Sequence, residues 1–362
     1  MNMNMTAFEQ YFNSSVFKGY VEEKLPEFEQ MYILQNMFPV ETVDGLDFSY
    51  LKSVSGAVEL STPSAYDAEP IAQHRRGFDA MKGDIPLFRK KMNMSEKEKS
   101  LLKMYLAAQQ LSKAERIITQ IYNDQATLVQ GALATQEYLR AKALIDGKIN
   151  IESKGGAVSF DYGVPAGNKK TLSGDTDEWD NKASKPLDNI VAWCDEVETN
   201  TGVRPTKMIM NRKTFNYLKG NDQVKGAAFP MGTINVPINT YGMSDAMVVE
   251  AIKAATGLTE IIIYSKKVQM DGKLLDLIPD DKVAIFPEGE LGKTLVGTSP
   301  AELNMEDANK SGANISVLAN GIAVNTYTDV KAPYTSGTEV EFVSIPSLPM
   351  ANSVILATVH TA

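Results

Sequence analysis

Four acidic side chains in one loop are the first candidates for chemistry in this sequence. Asp175, Asp177, Glu178 and Asp180 lie in a stretch of prolines, glycines and polar residues over 164–181. Carboxylate oxygens are the ligands that hard divalent cations prefer. The spacing lacks the glycine and the terminal bidentate glutamate of an EF-hand loop. A solvated acidic loop is therefore the favoured interpretation, and the sequence predicts no metal and no cofactor.

A second pair of carboxylates follows a predicted strand over residues 282–286. Glu288 and Glu290 flank Gly289, and two carboxylates in a cleft can act as general acid and general base. Their position in a glycine turn favours another interpretation, because turns run over the protein surface. We expect a solvated or salt-bridged loop here.

Cys194 is the only cysteine, and it lies beside Trp193 on a predicted amphipathic helix. A single cysteine excludes an internal disulfide framework and a cysteine-based zinc site. Because the whole chain has two histidines, we expect neither a catalytic histidine beside the thiol nor a histidine-rich metal site, and we predict a buried structural cysteine. The sequence contains no phosphate-binding loop, dinucleotide fingerprint, nucleophile elbow or zinc-protease helix motif. These observations predict that the protein is not an enzyme.

One region concentrates basic side chains in an otherwise acidic chain. Its members are His74, Arg75 and Arg76, followed by Arg89, Lys90 and Lys91. The net charge of −9 argues against a protein that grips nucleic acid through many phosphate contacts. A basic segment in such a chain suits an acidic surface on an identical neighbouring subunit.

The longest predicted element is a helix over residues 112–147, and we expect many of the other elements to pack along it. Ser112 and Glu115 have the spacing of a capping box, and apolar residues recur at three- and four-residue intervals between positions 118 and 143. Gly147 supplies the left-handed residue that ends many helices. At 1.5 Å per residue the helix is about 50 Å long, a length typical of a spine or a bundle member.

Length and composition indicate a folded protein with more than one structural unit. The chain has 362 residues, 43% of them hydrophobic, and a mean hydropathy of −0.20. No apolar run approaches the length of a membrane span, and the first ten residues lack the pattern of a secretory signal. We expect a protein kept in a cytoplasm-like compartment or in a particle assembled there.

The remaining pattern predicts a mixture of helices and strands. Residues 1–46 are aromatic-rich, with a short helix capped by Thr6 and Glu9 and with breaks at Pro26 and Pro39. The other predicted elements are a two-stranded excursion over 47–94, a helix opened by a capping box of Ser95 and Glu98, a hairpin over 148–162, helices over 187–199, 212–218 and 244–256, strands over 207–210, 260–264, 282–286, 322–327, 340–345 and 354–359, and an irregular glycine-rich passage over 221–243.

Short motifs spread over nearly the whole chain resemble those of one protein family. They are residues 32–39 (YILQNMFP), 144–149 (LIDGKI), 160–165 (FDYGVP), 202–205 (GVRP), 210–215 (MNRKTF), 278–283 (IPDDKV), 286–292 (FPEGELG) and 297–300 (GTSP). Each motif is short, but their order and spacing together are specific. The chain resembles the lambda-type major capsid proteins of tailed phages, the capsid protein E family, which share the Hong Kong 97-type fold.

The resemblance implies an α+β fold with four parts. These would be an N-arm over 1–46, an extended hairpin called the E-loop over 47–94, a peripheral domain over 95–180 and 319–362 with a spine helix over about 113–146, and an axial domain over 181–318. The E-loop would reach over a neighbouring subunit, with contacts from His74, Arg75, Arg76 and Arg89. The passage over 221–243 would point to the capsomer axis, and the residues expected there are Lys225, Phe229 and Met231.

The resemblance also implies a function. The chain would be a structural protein that self-assembles into pentamers and hexamers of an icosahedral shell around double-stranded DNA, in the cytoplasm of a bacterial host. Its partners would be a separate scaffolding protein, a portal and a decoration protein, with DNA packaged without sequence-specific binding and no membrane involved. Two alternatives stay open: an encapsulin-like nanocompartment shell, and a carboxylate-dependent enzyme that uses Glu288 and Glu290.

Overall fold

The computed structural model describes most of the chain. The described residues are 14–45, 47–52, 79–153, 156–174, 176–229, 243–305, 307, 314–318, 320–328 and 336–361. The predictions that lie outside them are the helix capped by Thr6 and Glu9, the part of the E-loop between residues 53 and 78, the part of the glycine-rich passage over 230–242, and Asp175 of the acidic loop.

The chain divides into two compact units. Unit 1 comprises Met1–Phe48, Lys82–Arg140 and Lys293–Pro346, and unit 2 comprises Ser49–Met81, Ala141–Gly292 and Ser347–Ala362. Both units are therefore assembled from three separate stretches of sequence. The assignment of N-arm, E-loop, peripheral domain and axial domain stays a prediction.

The described residues carry helices and strands in mixed order, as predicted for an α+β fold. The helices are α1 (Ser14–Gln30), α2 (Glu96–Ala107), α3 (Leu111–Asp146), α4 (Pro186–Thr201), α5 (Arg212–Gly220), α6 (Asp222–Ala228), α7 (Asp245–Thr256) and α8 (Pro300–Leu303). The strands are β1 (Val40–Thr42), β2 (Asp47–Lys52), β3 (Asp79–Asp84), β4 (Leu87–Met94), β5 (Lys148–Ser153), β6 (Gly156–Asp161), β7 (Lys169–Thr171), β8 (Lys207–Met210), β9 (Glu260–Ile263), β10 (Lys267–Met270), β11 (Lys273–Asp276), β12 (Lys282–Phe286), β13 (Thr294–Gly297), β14 (Asn314–Val317), β15 (Ala323–Thr328), β16 (Ser336–Pro346) and β17 (Ile355–Thr358).

The long helix α3 is continuous over 36 residues, which confirms the predicted spine helix. Its C-terminus is as predicted, because Gly147 follows the last helical residue with φ +62°. The predicted capping box at its N-terminus is wrong. The helix begins before Ser112, and the amides of Lys113 and Ala114 donate to the carbonyl of Gln110 at 3.1 and 3.2 Å. The capping box of Ser95 and Glu98 at α2 is confirmed.

Unit 1 is built on a six-stranded sheet around β16. The strand order is β1–β13–β16–β15–β14, and β4 also pairs with β16. All these pairs are antiparallel except β1 with β13. The core of this unit joins three layers of side chains: Val21, Leu25 and Phe28 from α1, Val129 and Leu133 from α3, and Val324, Val340 and Phe342 from the sheet. The spine helix therefore packs against a sheet, as the resemblance implies.

The expected break at Pro26 is wrong, because this proline lies inside α1. A proline inside a helix costs about 3 kcal/mol. Burial of Val21, Leu25 and Phe28 on the same helix offsets that cost, since each buried side chain of this size contributes roughly 1.5–3 kcal/mol. These three apolar side chains are buried within the chain itself.

A buried ion pair fixes the centre of unit 1. Glu137 and Arg140 lie one helical turn apart on α3, and both are almost wholly buried, with Nη1 to Oε2 at 3.3 Å. The other carboxylate oxygen of Glu137 accepts from the amide of Leu34 at 2.9 Å, and Arg140 Nε donates to Thr294 Oγ1 at 2.8 Å. The hydroxyl of Thr294 in turn donates to the carbonyl of Phe38 at 2.7 Å. Three distant parts of the chain are tied together by charge-assisted hydrogen bonds.

Unit 2 is built on a five-stranded sheet with the order β7–β17–β12–β8–β9. Its strands β8, β9 and β12 confirm predicted strands, and helices α4, α5 and α7 confirm predicted helices. Their apolar faces form one core that includes Trp193, Met208, Phe215, Ile252 and Ile285. The predicted hairpin is present as β5 and β6, in which Ser153 pairs with Gly156.

The beginning of the passage predicted to be irregular over residues 221–243 is helical, and its residues 230–242 lie outside the described residues. Its first residues form α6, a helix capped by Asn221, whose side-chain oxygen accepts from the amides of Gln223 and Val224. The glycine at position 226 concealed this helix, since glycine is a poor helix former in sequence patterns. Burial of Val224 in the core of unit 2 compensates for it.

Substituting the residue after the spine helix tests how that helix ends. We expect Gly147→Ala to destabilise the subunit by about 2–5 kcal/mol. A left-handed alanine costs about 1–2 kcal/mol, and overpacking adds about 1–3 kcal/mol, because the new Cβ would lie 2.8 Å from side-chain atoms of Leu356 and Val164. The matched control is Gly257→Ala after α7, where φ is +76° but no atom lies within 4 Å. Urea unfolding of the unassembled chain measures both, and equal losses would contradict the packing argument.

Neutralising the buried carboxylate of Glu137 tests how much its ion pair with Arg140 contributes to the stability of unit 1. We expect Glu137→Gln to lower the free energy of unfolding by about 3–5 kcal/mol, because it leaves Arg140 buried without its countercharge. The control is Glu250→Gln on α7, which breaks an exposed pair with Lys253 at the same helical spacing and costs no more than about 0.5 kcal/mol. Chemical denaturation of both variants checks this, and a loss at Glu137 as small as at Glu250 would refute it.

Candidate functional site

Two of the motifs singled out in the sequence meet at one polar junction in unit 2. Asn211 is buried before α5, and its side-chain oxygen accepts from the amide of Thr214 at 2.9 Å. Its side-chain amide donates to the carboxylate of Asp280, which precedes β12. The asparagine thus caps one helix and holds the turn that leads into a strand of the central sheet.

Asp281 extends this junction to the last strand of the sheet. Its amide donates to Thr214 Oγ1 at 3.1 Å, and its carboxylate accepts from the hydroxyl of Tyr217 at 2.8 Å and from Lys213 Nζ at 3.2 Å. Its carbonyl accepts from the amide of Val359 at 2.8 Å. Burial and the hydrogen bond to Asp281 raise the pKa of Tyr217 above its usual value. The pattern is that of a structural joint, since every group in it has a hydrogen-bond partner.

The acidic loop forms a second polar cluster in the same unit, and it contains a residue that the sequence did not suggest. Glu178 is buried. Its Oε1 accepts a hydrogen bond from Thr361 Oγ1 at 2.5 Å, and its Oε2 lies 2.6 Å from His360 Nδ1. Asp180 Oδ1 lies 3.5 Å from the same imidazole nitrogen. These hydrogen bonds from Thr361 and His360 lower the pKa of Glu178, and the hydrogen bond to Glu178 raises the pKa of His360.

The structure separates the four acidic residues that the sequence grouped. Glu178 and Asp180 converge with His360, whereas Asp177 is exposed and is not part of this cluster. Asp175 lies outside the described residues. No sequence signal connects His360 to this loop, because nearly the whole second half of the chain separates them and the contact depends on where β17 ends.

The other two candidate sites are structural, as predicted. Glu288 is 71% exposed and lies 3.8 Å from Lys207 Nζ, which is a surface contact rather than an acid–base site. Cys194 is fully buried in the core of unit 2, and burial raises the pKa of its thiol to about 11. A thiol in that state is a poor nucleophile.

The residues predicted for contacts between subunits fall in different places. His74, Arg75, Arg76 and Met231 lie outside the described residues. Arg89 is half-exposed on β4 and pairs with Glu341 on β16, with Nε to Oε2 at 2.6 Å. Lys225 pairs with Asp222 at 3.1 Å, and Phe229 is 38% exposed after α6. Their roles between subunits stay predictions.

Nothing in the described part of the chain combines a nucleophile, a base and a cleft. A shallow groove runs beside α3, and it is lined by Ser112, Arg116, Thr119, Gln120 and Asn123. Its side chains include no pair suited to acid–base chemistry. Among the described helices, none has both the length and the apolar character needed to span a bilayer.

The fold of this chain is similar to that of solved phage and prophage proteins. Solved structures show a similar fold at low sequence identity: a putative capsid protein of a prophage of Escherichia coli CFT073 (13% identity, TM-score 0.54, covering 92% of each chain), a phage-related protein from Bordetella bronchiseptica RB50 (14%, TM-score 0.51, covering 91% of this chain and 92% of that one), and the capsid of cyanophage A-1(L) (10%, TM-score 0.50, covering 92% and 93%). The fold is thus the Hong Kong 97-type capsid fold. Among curated proteins, none matches the sequence.

The family comparison covers most of the sequence. Residues 21–324 match the family described as phage major capsid protein E. This span includes the spine helix, the polar junction at Asn211 and most of both sheets. The chain therefore belongs to the phage major capsid protein E family, and it is a structural protein of a phage capsid shell rather than an enzyme.

Proposed function

We propose that this capsid protein assembles as pentamers and hexamers, and that these close into an icosahedral shell around the double-stranded DNA of a tailed phage. The observation that carries the proposal is the family match over residues 21–324. The absence of a catalytic constellation among the described residues supports it. The function of such a protein would depend on the surfaces by which its copies contact one another and on a rigid fold that holds those surfaces in place.

The charge of the chain suits a container for DNA. The net charge is −9, and a strongly basic wall would bind phosphates along its whole area. A weakly repelling wall leaves DNA free to slide and reorganise while it is packed. We therefore propose that DNA is enclosed without sequence-specific binding.

The E-loop is proposed to contact a neighbouring subunit. Its two ends, β2 and β3, pair as a two-stranded sheet, and residues 53–78 connect them. A two-stranded sheet is marginally stable in water by itself, so a partner surface would stabilise it. Acidic surface is available on another copy of the chain: the exposed side of α1 carries Glu22, Glu23 and Glu27. Arg75 and Arg76, next to His74, would supply the complementary charge.

The capsomer axis is proposed to lie near the end of α6. Phe229 is a large apolar side chain that is 38% exposed, and Lys225 precedes it by one helical turn. Exposed aromatic side chains are enriched where subunits meet. Together with Met231, these residues would face their counterparts around the axis.

The finer assignments of partner and place are also proposals. They comprise a separate scaffolding protein, a portal and a decoration protein as partners, and assembly in the cytoplasm of a bacterial host. Co-purification of native particles followed by mass spectrometry would identify such partners.

Electron microscopy of the purified recombinant chain tests shell formation. We expect hollow shells, tubes or six-fold rings, because a capsid protein carries its assembly contacts on its own surface. A monomer that does not assemble over a wide range of concentration and salt would contradict the proposal. Nucleic acid inside native particles separates a phage capsid from a nanocompartment, in which an enclosed enzyme is expected instead.

Reversing the charge of the E-loop tests its proposed contact. We expect Arg75→Glu with Arg76→Glu to lower the yield of shells roughly tenfold or more, since juxtaposed like charges in an interface cost several kcal/mol. The melting temperature of the unassembled chain should not change. The control, Lys182→Glu with Lys185→Glu, makes the same change in charge on exposed residues of unit 2. Shell yields equal to those of the unaltered protein would refute the E-loop contact.

A further inference from the structure

Three metal-ligating side chains from two distant segments converge in unit 2. Glu178 and Asp180 belong to the turn before α4, and His360 follows β17. One donor atom from each lies within 4.8 Å of the other two. We propose that these residues bind a divalent transition-metal ion, for which Zn²⁺ is the appropriate probe.

The spacing of the donors fits one small cation. His360 Nδ1 lies 2.6 Å from Glu178 Oε2 and 3.5 Å from Asp180 Oδ1. In a tetrahedral zinc site with bonds of about 2.0–2.1 Å, neighbouring ligand atoms are roughly 3.3 Å apart. The two observed distances lie on either side of this value, and the donor oxygens of Glu178 and Asp180 are no more than 4.8 Å apart.

The carboxylate of Glu178 is already oriented by hydrogen bonds from Thr361. Glu178 Oε1 accepts from the amide of Thr361 at 3.2 Å and from its hydroxyl at 2.5 Å. These two bonds leave Oε2 directed at His360. Hydrogen-bonded carboxylates of this kind are usual around metal sites, where outer partners orient the ligands.

Negative charge accumulates around a single imidazole. Asp281, whose carboxylate binds Tyr217 and Lys213, also acts electrostatically on His360, as do Glu178 and Asp180. Lys213 already compensates Asp281, so Glu178 and Asp180 are the two carboxylates that face the imidazole without a lysine or arginine partner among the ion pairs of the described residues. A divalent cation between the donors would compensate two of the negative charges.

The ligand set decides the class of cation. An imidazole nitrogen favours zinc and its first-row neighbours over Ca²⁺ and Mg²⁺, which prefer oxygen ligands. Three protein ligands leave a fourth position for water. The competing explanation is a direct hydrogen bond between His360 and Glu178 with no metal, and the experiment must distinguish the two.

Metal binding would fasten the end of the chain. Trp179 already donates its amide to the carbonyl of Val359 at 3.0 Å, which places the turn beside the residues after β17. A shared ion would add a bond between the same two segments. Because the ion would bind only the folded chain, it would raise the thermal stability of unit 2.

Calorimetric titration of the metal-free, unassembled full chain with ZnCl₂ tests the proposal. We expect one Zn²⁺ per chain, a higher melting temperature with Zn²⁺, and no comparable effect of CaCl₂. His360→Gln can keep a hydrogen bond to Glu178 but loses the imidazole ligand. It should weaken binding by at least about tenfold, since even outer partners of a metal ligand are worth 10–100-fold.

Two further variants make the result decisive. His74→Gln removes the other histidine of the chain and should leave the affinity unchanged. Asp180→Asn alters an exposed ligand, so the fold is expected to persist while zinc affinity falls. Absence of stoichiometric binding, or equal affinity in His360→Gln and the unaltered chain, would overturn the proposal. The titration does not involve shell formation, so its outcome is independent of the proposed assembly.

Discussion

The buried ion pair of Glu137 and Arg140 imposes a requirement on everything around it. Two charges withdrawn from water are costly unless further hydrogen bonds satisfy them. Here the amide of Leu34 and the hydroxyl of Thr294 provide those bonds. The spine helix, the segment before β1 and strand β13 must therefore adopt one relative arrangement, because displacement of any of them leaves a buried charge without a partner. Unit 1 gains a specific geometry from this constraint.

A shell subunit needs such specificity more than it needs a reactive site. The polar groups buried in unit 2 follow the same logic, since Asn211 and Asp281 each join a helix to a strand through several hydrogen bonds. Cys194 is a buried thiol in the core of unit 2, and Glu288 lies beside Lys207 on the surface. The residues with the chemically most versatile side chains are thus used to hold elements together.

Local signals in the sequence predicted many elements correctly, and the exceptions have physical causes. The capping residue Ser95 acts through hydrogen bonds within three residues, and Gly147 acts through its own left-handed backbone conformation, so the local sequence specifies both. Pro26 was misleading, because tertiary burial of α1 outweighs a local penalty. Ser112 was misleading because its helix begins earlier, at Leu111. Strands β13 and β14 are short and gave no usable pattern.

The sequence alone determined the class of protein, the long amphipathic helix and the family, since periodicity, composition and ordered motifs are properties of the chain itself. The tertiary structure decided which strands pair, as in the parallel contact of β1 with β13. It also decided that Glu137 and Arg140 are buried and that His360 meets Glu178. These are contacts between residues far apart in sequence, and their free energy depends on burial and on partners supplied by other segments. No local pattern encodes such partners, so only the folded chain reveals them.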